Sequence, residues 1–297
     1  MLIERLLIVG VGLIGGSFAL SLKQKGLVGH IVGVGRDPAN LRRAVELGVI
    51  DAAADHFDTA AARADFILIA TPVRQMEGIL AELAKHISPG AVITDAGSTK
   101  QDVVAVARRA LGGKVGQFVP AHPIAGREKS GVTAAEAGLY ESRNVVLAPL
   151  AENSASSVQR VEAAWSACGA RVVRMDAARH DAVFAAVSHL PHMLAYALVD
   201  DLASRENAKE LFAFAAGGFR DFTRIASSSP EMWRDIALNN RAALLAEIDA
   251  YQSRLSVLRE LIEQADGPAL ERLMTQARDA RDAWLEKFNA SAKSSPE

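Results

Sequence analysis

The chain has 297 residues, half of them hydrophobic and 23% charged, a length that predicts two domains rather than one. Its 33 Lys+Arg against 35 Asp+Glu leave a net charge of −2, which excludes a dedicated nucleic-acid binder, and its single cysteine, Cys168, excludes a disulfide framework or a Cys-rich metal site. The N-terminus MLIERLLIVGVGLIGGS lacks the cationic start and small-residue cleavage site of a secretory signal, and no apolar run is expected to reach the roughly 20 residues that cross a bilayer. The expectation is a cytoplasmic protein that handles a small molecule, with neither nucleic acid nor membrane as partner.

Residues 1–175 alternate short β-branched runs with amphipathic stretches, the pattern of βαβ units on a mostly parallel, Rossmann-type sheet. The runs cover residues 6–9, 31–34, 66–70, 91–94, 118–120, 144–147 and 171–174. Helical patterns cover 15–25, 40–47, 75–85, 100–111 and 156–168. Most strand runs are apolar throughout, as a sheet covered by helices on both faces requires.

Gly10-Val11-Gly12-Leu13-Ile14-Gly15 ends the first strand and opens a helix. Gly10 permits the tight turn, Gly12 lets backbone approach a pyrophosphate, and Gly15 lets the helix pack closely on the strand. The first helical residues, Leu13 and Ile14, then offer amide donors and a positive dipole end to phosphate. Strand, loop, helix and second strand follow in order, so this segment is expected to bind a dinucleotide. At the second strand's tip, Gly35-Arg36-Asp37 puts glycine where an NAD site usually carries an acid for the ribose 2′-hydroxyl. Arg36 could instead pair with a 2′-phosphate. The expectation is NADP, or both cofactors, ahead of strict NAD; the alternative has Arg36 solvated and Asp37 on the ribose.

Ligands of open α/β sheets bind beyond the carboxyl edge of the strands. Thr71 and Pro72 follow the third βα unit there and are expected to line the cofactor, Ser98 follows the next strand, and His122 follows the one after. Imidazole is the usual base for a hydroxyl proton during hydride transfer, which makes His122 the candidate base. Ser98 reads equally as a helix N-cap, whereas for His122 the catalytic reading stands ahead of a structural histidine in a Gly/Pro loop.

After residue 175 the strand signals stop, and residues 176–297 are expected to form an all-helical substrate and dimerisation domain. A helical pattern runs from 177 to about 205, interrupted at Pro191, and the serines of 227–230 suit a helix N-cap. Leu244, Ile248, Tyr251, Leu255, Leu258 and Ile262 form one seam; Leu270, Leu273, Ala277, Ala280 and Trp284 form another. Such seams bury against a helix, either of a second copy, giving a homodimer, or of the same chain. His189 and His192 lie three apart with no matching acid, so no metal is expected. Arg220 and Arg224 lie four apart, with forks suited to a carboxylate, or to Asp221 in an ordinary ion pair.

In order along the chain, GVGLIGGS, ATPV, TDAGSTK, AHPIAGREKSGV, VSHLPH, GGFRDFTRIA and PEMWRDI resemble the prephenate dehydrogenase family, including its arogenate and cyclohexadienyl members. The resemblance runs from residue 10 to residue 236. It implies NAD(P)-dependent oxidative decarboxylation of prephenate or arogenate, in tyrosine biosynthesis. Carried over by motif, His122 takes the proton of the ring 4-hydroxyl, and Ser98 holds that hydroxyl and the imidazole. Arg224 binds a substrate carboxylate, His192 and His189 line the pocket, and Trp233 helps close it. Glu128 and the Arg220–Asp221 pair match a charged gate at the pocket mouth. A β-hydroxyacid dehydrogenase, the enzymatic alternative, relies on a catalytic lysine in its helical domain; between residues 176 and 286 this chain has Lys209 alone, outside every motif. A dinucleotide-sensing regulator, the non-enzymatic alternative, has no need of Ser98, His122 and Arg224 together.

Overall fold

The computed structural model describes residues 1–126 and 131–293, and the chain divides into two compact units, Met1–Arg241 and Ala242–Glu297. The first unit is built on a six-stranded parallel sheet of order β3-β2-β1-β4-β5-β6. Its strands are β1 (Ile3–Val9), β2 (Val28–Val34), β3 (Ala52–Ala53), β4 (Phe66–Ile69), β5 (Val92–Asp95) and β6 (Phe118–Val119). Helices α1 (Leu13–Gln24), α2 (Pro38–Glu46), α3 (Asp58–Arg63), α4 (Met76–His86) and α5 (Gln101–Leu111) alternate with them. Along β1 successive side chains enter opposite cores. Leu6 and Ile8 pack with Phe18, Leu22, Phe66 and Trp165, whereas Leu7 and Val9 pack with Ile67, Ile69, Met76 and Leu80. The period of two, apolar on both sides, is why the strand reads as one unbroken hydrophobic run.

The last two strand runs leave this sheet. Pro120 has no amide to extend the β6 ladder, and the chain turns into β7 (Ala121–Pro123), which pairs antiparallel with β8 (Asn144–Leu147); β9 (Arg171–Arg174) pairs parallel with β8. His122 therefore sits on a strand of this second, three-stranded sheet, opposite Val146, rather than on a loop at a strand tip. Between β8 and β9 runs α6 (Ala155–Ala167).

Pro191 does not break the next helix. α7 (Ala177–Phe184) passes through a π-helical turn at Ala185–His189 into α8 (Leu190–Ala203), and Pro191 falls in the first turn of α8, where the wider turn spares it a hydrogen bond it cannot donate. The whole stretch Ala177–Ala203 is long and apolar enough, by length and composition, to cross a membrane, contrary to the expectation that no segment is. It carries the buried polar groups His180, Asp181 and His189, and α7 packs on α5. Then follow α9 (Ala208–Ala213), α10 (Gly217–Thr223) and α11 (Pro230–Asn239), the last capped by Ser229 and packed against the turn after β4.

The second unit consists of α12, which begins at Arg241 and ends at Glu263, and α13 (Gly267–Lys293). Of the seam residues, Tyr251, Leu255, Ile262 and Trp284 are exposed in this chain, as are Met274 and Phe288.

Candidate active site

The parallel sheet reverses its order between β1 and β4, and the glycine loop lies at that switch point. Gly10 adopts φ +94°, and a Cβ there would come within 2.5 Å of the Ala70 carbonyl oxygen, so the loops after β1 and β4 touch through a residue that must be glycine. A Cβ on Gly15 would meet the Gly10 carbonyl oxygen at 2.4 Å, which fixes how close α1 lies to the strand. A Cβ on Gly12 would meet nothing within 4 Å, and α1 starts there with no side-chain cap. Open space over an uncapped helix start is what a pyrophosphate requires, so these residues fit the dinucleotide. Two side chains that sequence reasoning missed hold the loop: Asn40 Nδ2 donates to the Val11 carbonyl (2.7 Å), and Tyr140 Oη to the Ile14 carbonyl (2.6 Å). Thr71 Oγ1 is buried beside Gly10, with no hydrogen-bond partner among the described residues. Pro72 precedes the turn on which α11 packs. At the tip of β2, Arg36 is exposed, while the Asp37 carboxylate accepts from Ala39 N (2.9 Å) and caps α2.

Beyond β5, the loop to α5 is clamped by a buried ion pair that sequence reasoning also missed. Asp95 Oδ2 accepts from Lys100 Nζ (2.7 Å) and Gly97 N (2.8 Å), and Oδ1 accepts from Ala121 N (2.9 Å), tying the Ser98 loop to the strand of His122. Lys100 Nζ also donates to the carbonyls of Gly97 and Thr99, so every donor of the buried ammonium is used. Ser98 does not cap α5. That role belongs to Asp181 on α7, whose two oxygens accept from Lys100 N and Gln101 N, each at 2.8 Å.

His122 joins a chain of polar contacts. Its Nδ1 lies 2.8 Å from His180 Nε2, and His180 Nδ1 lies 2.8 Å from Asp181 Oδ1. Phe184 packs on both rings, with centroids at 5.0 and 4.6 Å. Burial drives the His122 pKa well below the ordinary imidazole value, and His180, Lys100 and His189 add to that. Burial also lowers His180, against the opposing pull of Asp181. Burial alone would raise the Asp181 pKa, yet hydrogen bonds from His180, Gln101 and Lys100 hold it below the usual carboxylate value.

The remaining candidates gather one step further along. Asn240 Nδ2 donates to the Asp181 carbonyl (2.8 Å) and meets His189 Nδ1 at 3.0 Å. Burial pushes the His189 pKa down to about 4. His192 Nδ1 donates to the Ser188 carbonyl (2.9 Å) within the π turn and stacks on Trp233 with centroids 3.5 Å apart. Trp233 also meets His189 edge-on. Burial lowers the His192 pKa, and the charge of Arg224 lowers it further. A continuous series of contacts thus runs from His122 through His180, Asp181, Asn240, His189 and Trp233 to His192, with Arg224 beside it. Arg220 stands apart, paired with Asp221 at 3.0 Å on the exposed side of α10. Glu128 lies outside the described residues.

A parallel sheet of this order, with a glycine-lined helix start at its switch point and a histidine on the strand after β6, has the parts of a dinucleotide-binding dehydrogenase. Residues 18–174 match the family described as "Prephenate dehydrogenase, nucleotide-binding domain", and residues 176–276 the one described as "Prephenate dehydrogenase, dimerization domain". The prephenate dehydrogenase of Bacillus subtilis (strain 168) is 41% identical over 281 residues, which cover 94% of this chain and 76% of that protein. The cyclohexadienyl dehydrogenase of Zymomonas mobilis is 33% identical over 282 residues, covering 94% of this chain and 95% of that one. Among solved structures, prephenate dehydrogenase from A. aeolicus in complex with hydroxyphenyl propionate and NAD+ superposes with a TM-score of 0.89 at 38% identity, covering 94% of this chain and 98% of that chain. The chain belongs to the prephenate dehydrogenase family and is an oxidoreductase.

Proposed function

We propose that this protein catalyses the NAD(P)-dependent oxidative decarboxylation of prephenate, and of its amino analogue arogenate where the pocket admits an ammonium group, to 4-hydroxyphenylpyruvate or tyrosine. The observation that carries the reading is a half-buried imidazole, His122, which has one ring nitrogen engaged by His180 and the other left to meet a substrate, in surroundings that disfavour its charged form. His122 Nε2 accepts the proton of the ring 4-hydroxyl, Ser98 orients that hydroxyl, and Arg224 holds a substrate carboxylate. His189, His192 and Trp233 wall the pocket. The exposed Arg220–Asp221 pair gates its mouth. The nicotinamide, when bound, supplies the hydride acceptor. Removing the hydroxyl proton as the C–H pair leaves avoids a protonated carbonyl, an effect typically worth about 10²–10⁴-fold. Loss of CO2 returns its bonding pair to the ring, and the aromaticity gained drives the reaction, so positioning is the protein's main task.

Gly10, Gly12, Leu13, Ile14, Gly15, Thr71, Pro72 and Ser98 line the cofactor. With no acid at Gly35 and Asp37 committed to capping α2, Arg36 is the charge available to a 2′-phosphate, which favours NADP while leaving NAD usable. Residues 1–175 serve the cofactor and 176–297 the substrate and a homodimer formed through the C-terminal helices. The test is to incubate the protein with prephenate or arogenate and each cofactor while following reduced-nicotinamide absorbance. Turnover of either compound, with NADP preferred, is expected. No reduction in any pairing would contradict the activity, and a strong NAD preference would contradict the role of Arg36.

A further inference from the structure

We infer that His180 and Asp181 are positioning residues that fix the tautomer of His122, so that Nε2, and not Nδ1, is its basic nitrogen. The inference rests on His122 being the base. Asp181 is held ionised by two backbone amides, and a carboxylate can only accept, so the proton between it and His180 belongs to His180 Nδ1. A neutral His180 then has only an acceptor at Nε2. The 2.8 Å contact with His122 Nδ1 must therefore be donated by His122, and a neutral His122 protonated at Nδ1 carries its lone pair on Nε2. One carboxylate thus sets two rings in series.

The surroundings leave little room for the opposite arrangement. Both histidines are clasped by Phe184, and burial disfavours charge on either ring. Lys100, whose charge bears on both rings, is consumed by Asp95 and two carbonyls. When the substrate hydroxyl gives up its proton, the O–H bond breaks and an N–H bond forms at His122 Nε2. No proton need travel further: the Nδ1–H···Nε2 bond to His180 becomes charge-assisted, and the Asp181 charge faces the new imidazolium through the intervening ring. Sequence patterns hid this because His122 and His180 lie 58 residues apart, on different elements. The same carboxylate starts α5, so the helix after Ser98 and the tautomer of the base share one anchor.

Two measurements test it. In wild-type protein with ¹⁵N-labelled histidine, long-range ¹H–¹⁵N spectra should assign Nδ1–H to both His122 and His180, and an Nε2–H tautomer at His122 would overturn the proposal. In kinetics, His180→Leu should lower kcat at least about tenfold, towards the roughly 10⁴-fold that a wrong tautomer costs a serine-protease triad. KM should stay within about threefold, with the loss persisting on the high-pH plateau. His180→Gln, whose carbonyl can accept from His122 Nδ1, should recover part of that loss. A smaller fall in kcat, or a Gln variant no better than Leu, would overturn it. Should the Leu variant fail to fold by circular dichroism, the wild-type spectra decide alone. If His122→Asn leaves kcat intact, the base assignment fails; if it abolishes turnover and His180→Leu does not, only this inference fails.

Discussion

At the scale of residues, two groups in the first unit are expected to separate chemistry from binding. His122→Asn should lower kcat by about 10²–10⁴-fold with little change in KM, because a group that takes a proton acts only in the transition state. Arg224→Ala should chiefly raise KM, since a carboxylate grip holds substrate and transition state alike. Near-normal kcat in the first variant, or unchanged KM in the second, would contradict these roles. The pH profile follows from burial. His122 must be neutral to accept a proton, and its pKa lies well below the usual imidazole value, so kcat/KM should rise as pH climbs through that depressed value and be level through neutrality. A limb centred at the ordinary histidine value or above would place the titrating group elsewhere. Gly10, Gly12, Gly15 and His122 were legible in the sequence, since a local backbone requirement or a rare chemistry marks each. His180, Asp181, Asp95 and Lys100 were not: no local spacing records the contacts of residues 122 and 180 or of residues 100 and 181, and the short spacing of Asp95 and Lys100 does not show that the pair is buried.

At the scale of elements, the loop from β5 to α5 depends on a pair removed from water. Lys100 and Asp95 are fully buried, and breaking such a pair from one side strands a charge in the interior. Lys100→Met should destabilise the protein by about 3–5 kcal/mol in denaturant titration, whereas a loss under about 1 kcal/mol would show that the pair holds nothing in place. Sequence pattern fixed the parallel strands and the helices between them because apolar runs and amphipathic periods are local signals. It failed at β7, Ala121–Pro123, and at β3, Ala52–Ala53, since neither carries the β-branched residues by which the equally short β6 was read. It also treated Pro191 as a break, because proline's cost assumes a regular α-helix, and the π turn before it changes that geometry.

At the scale of the molecule, α12 and α13 leave Tyr251, Leu255, Ile262, Trp284 and Phe288 exposed on a chain that matches its family's dimerization domain. Sedimentation velocity should find a dimer, and Leu255→Glu with Ile262→Glu should shift it towards monomer; a wild-type monomer at micromolar concentration would contradict the homodimer. The first unit joins a dinucleotide site to a histidine network, and its account turns on whether one small ring can meet both His122 and Arg224. The direct measurement is a crystal structure of this protein with NAD+ and 4-hydroxyphenylpropionate. It should show the ring hydroxyl about 2.6–3.2 Å from His122 Nε2 and the carboxylate on the Arg224 guanidinium. A ligand bound by one of these residues but out of reach of the other, or facing His122 through Nδ1, would contradict it.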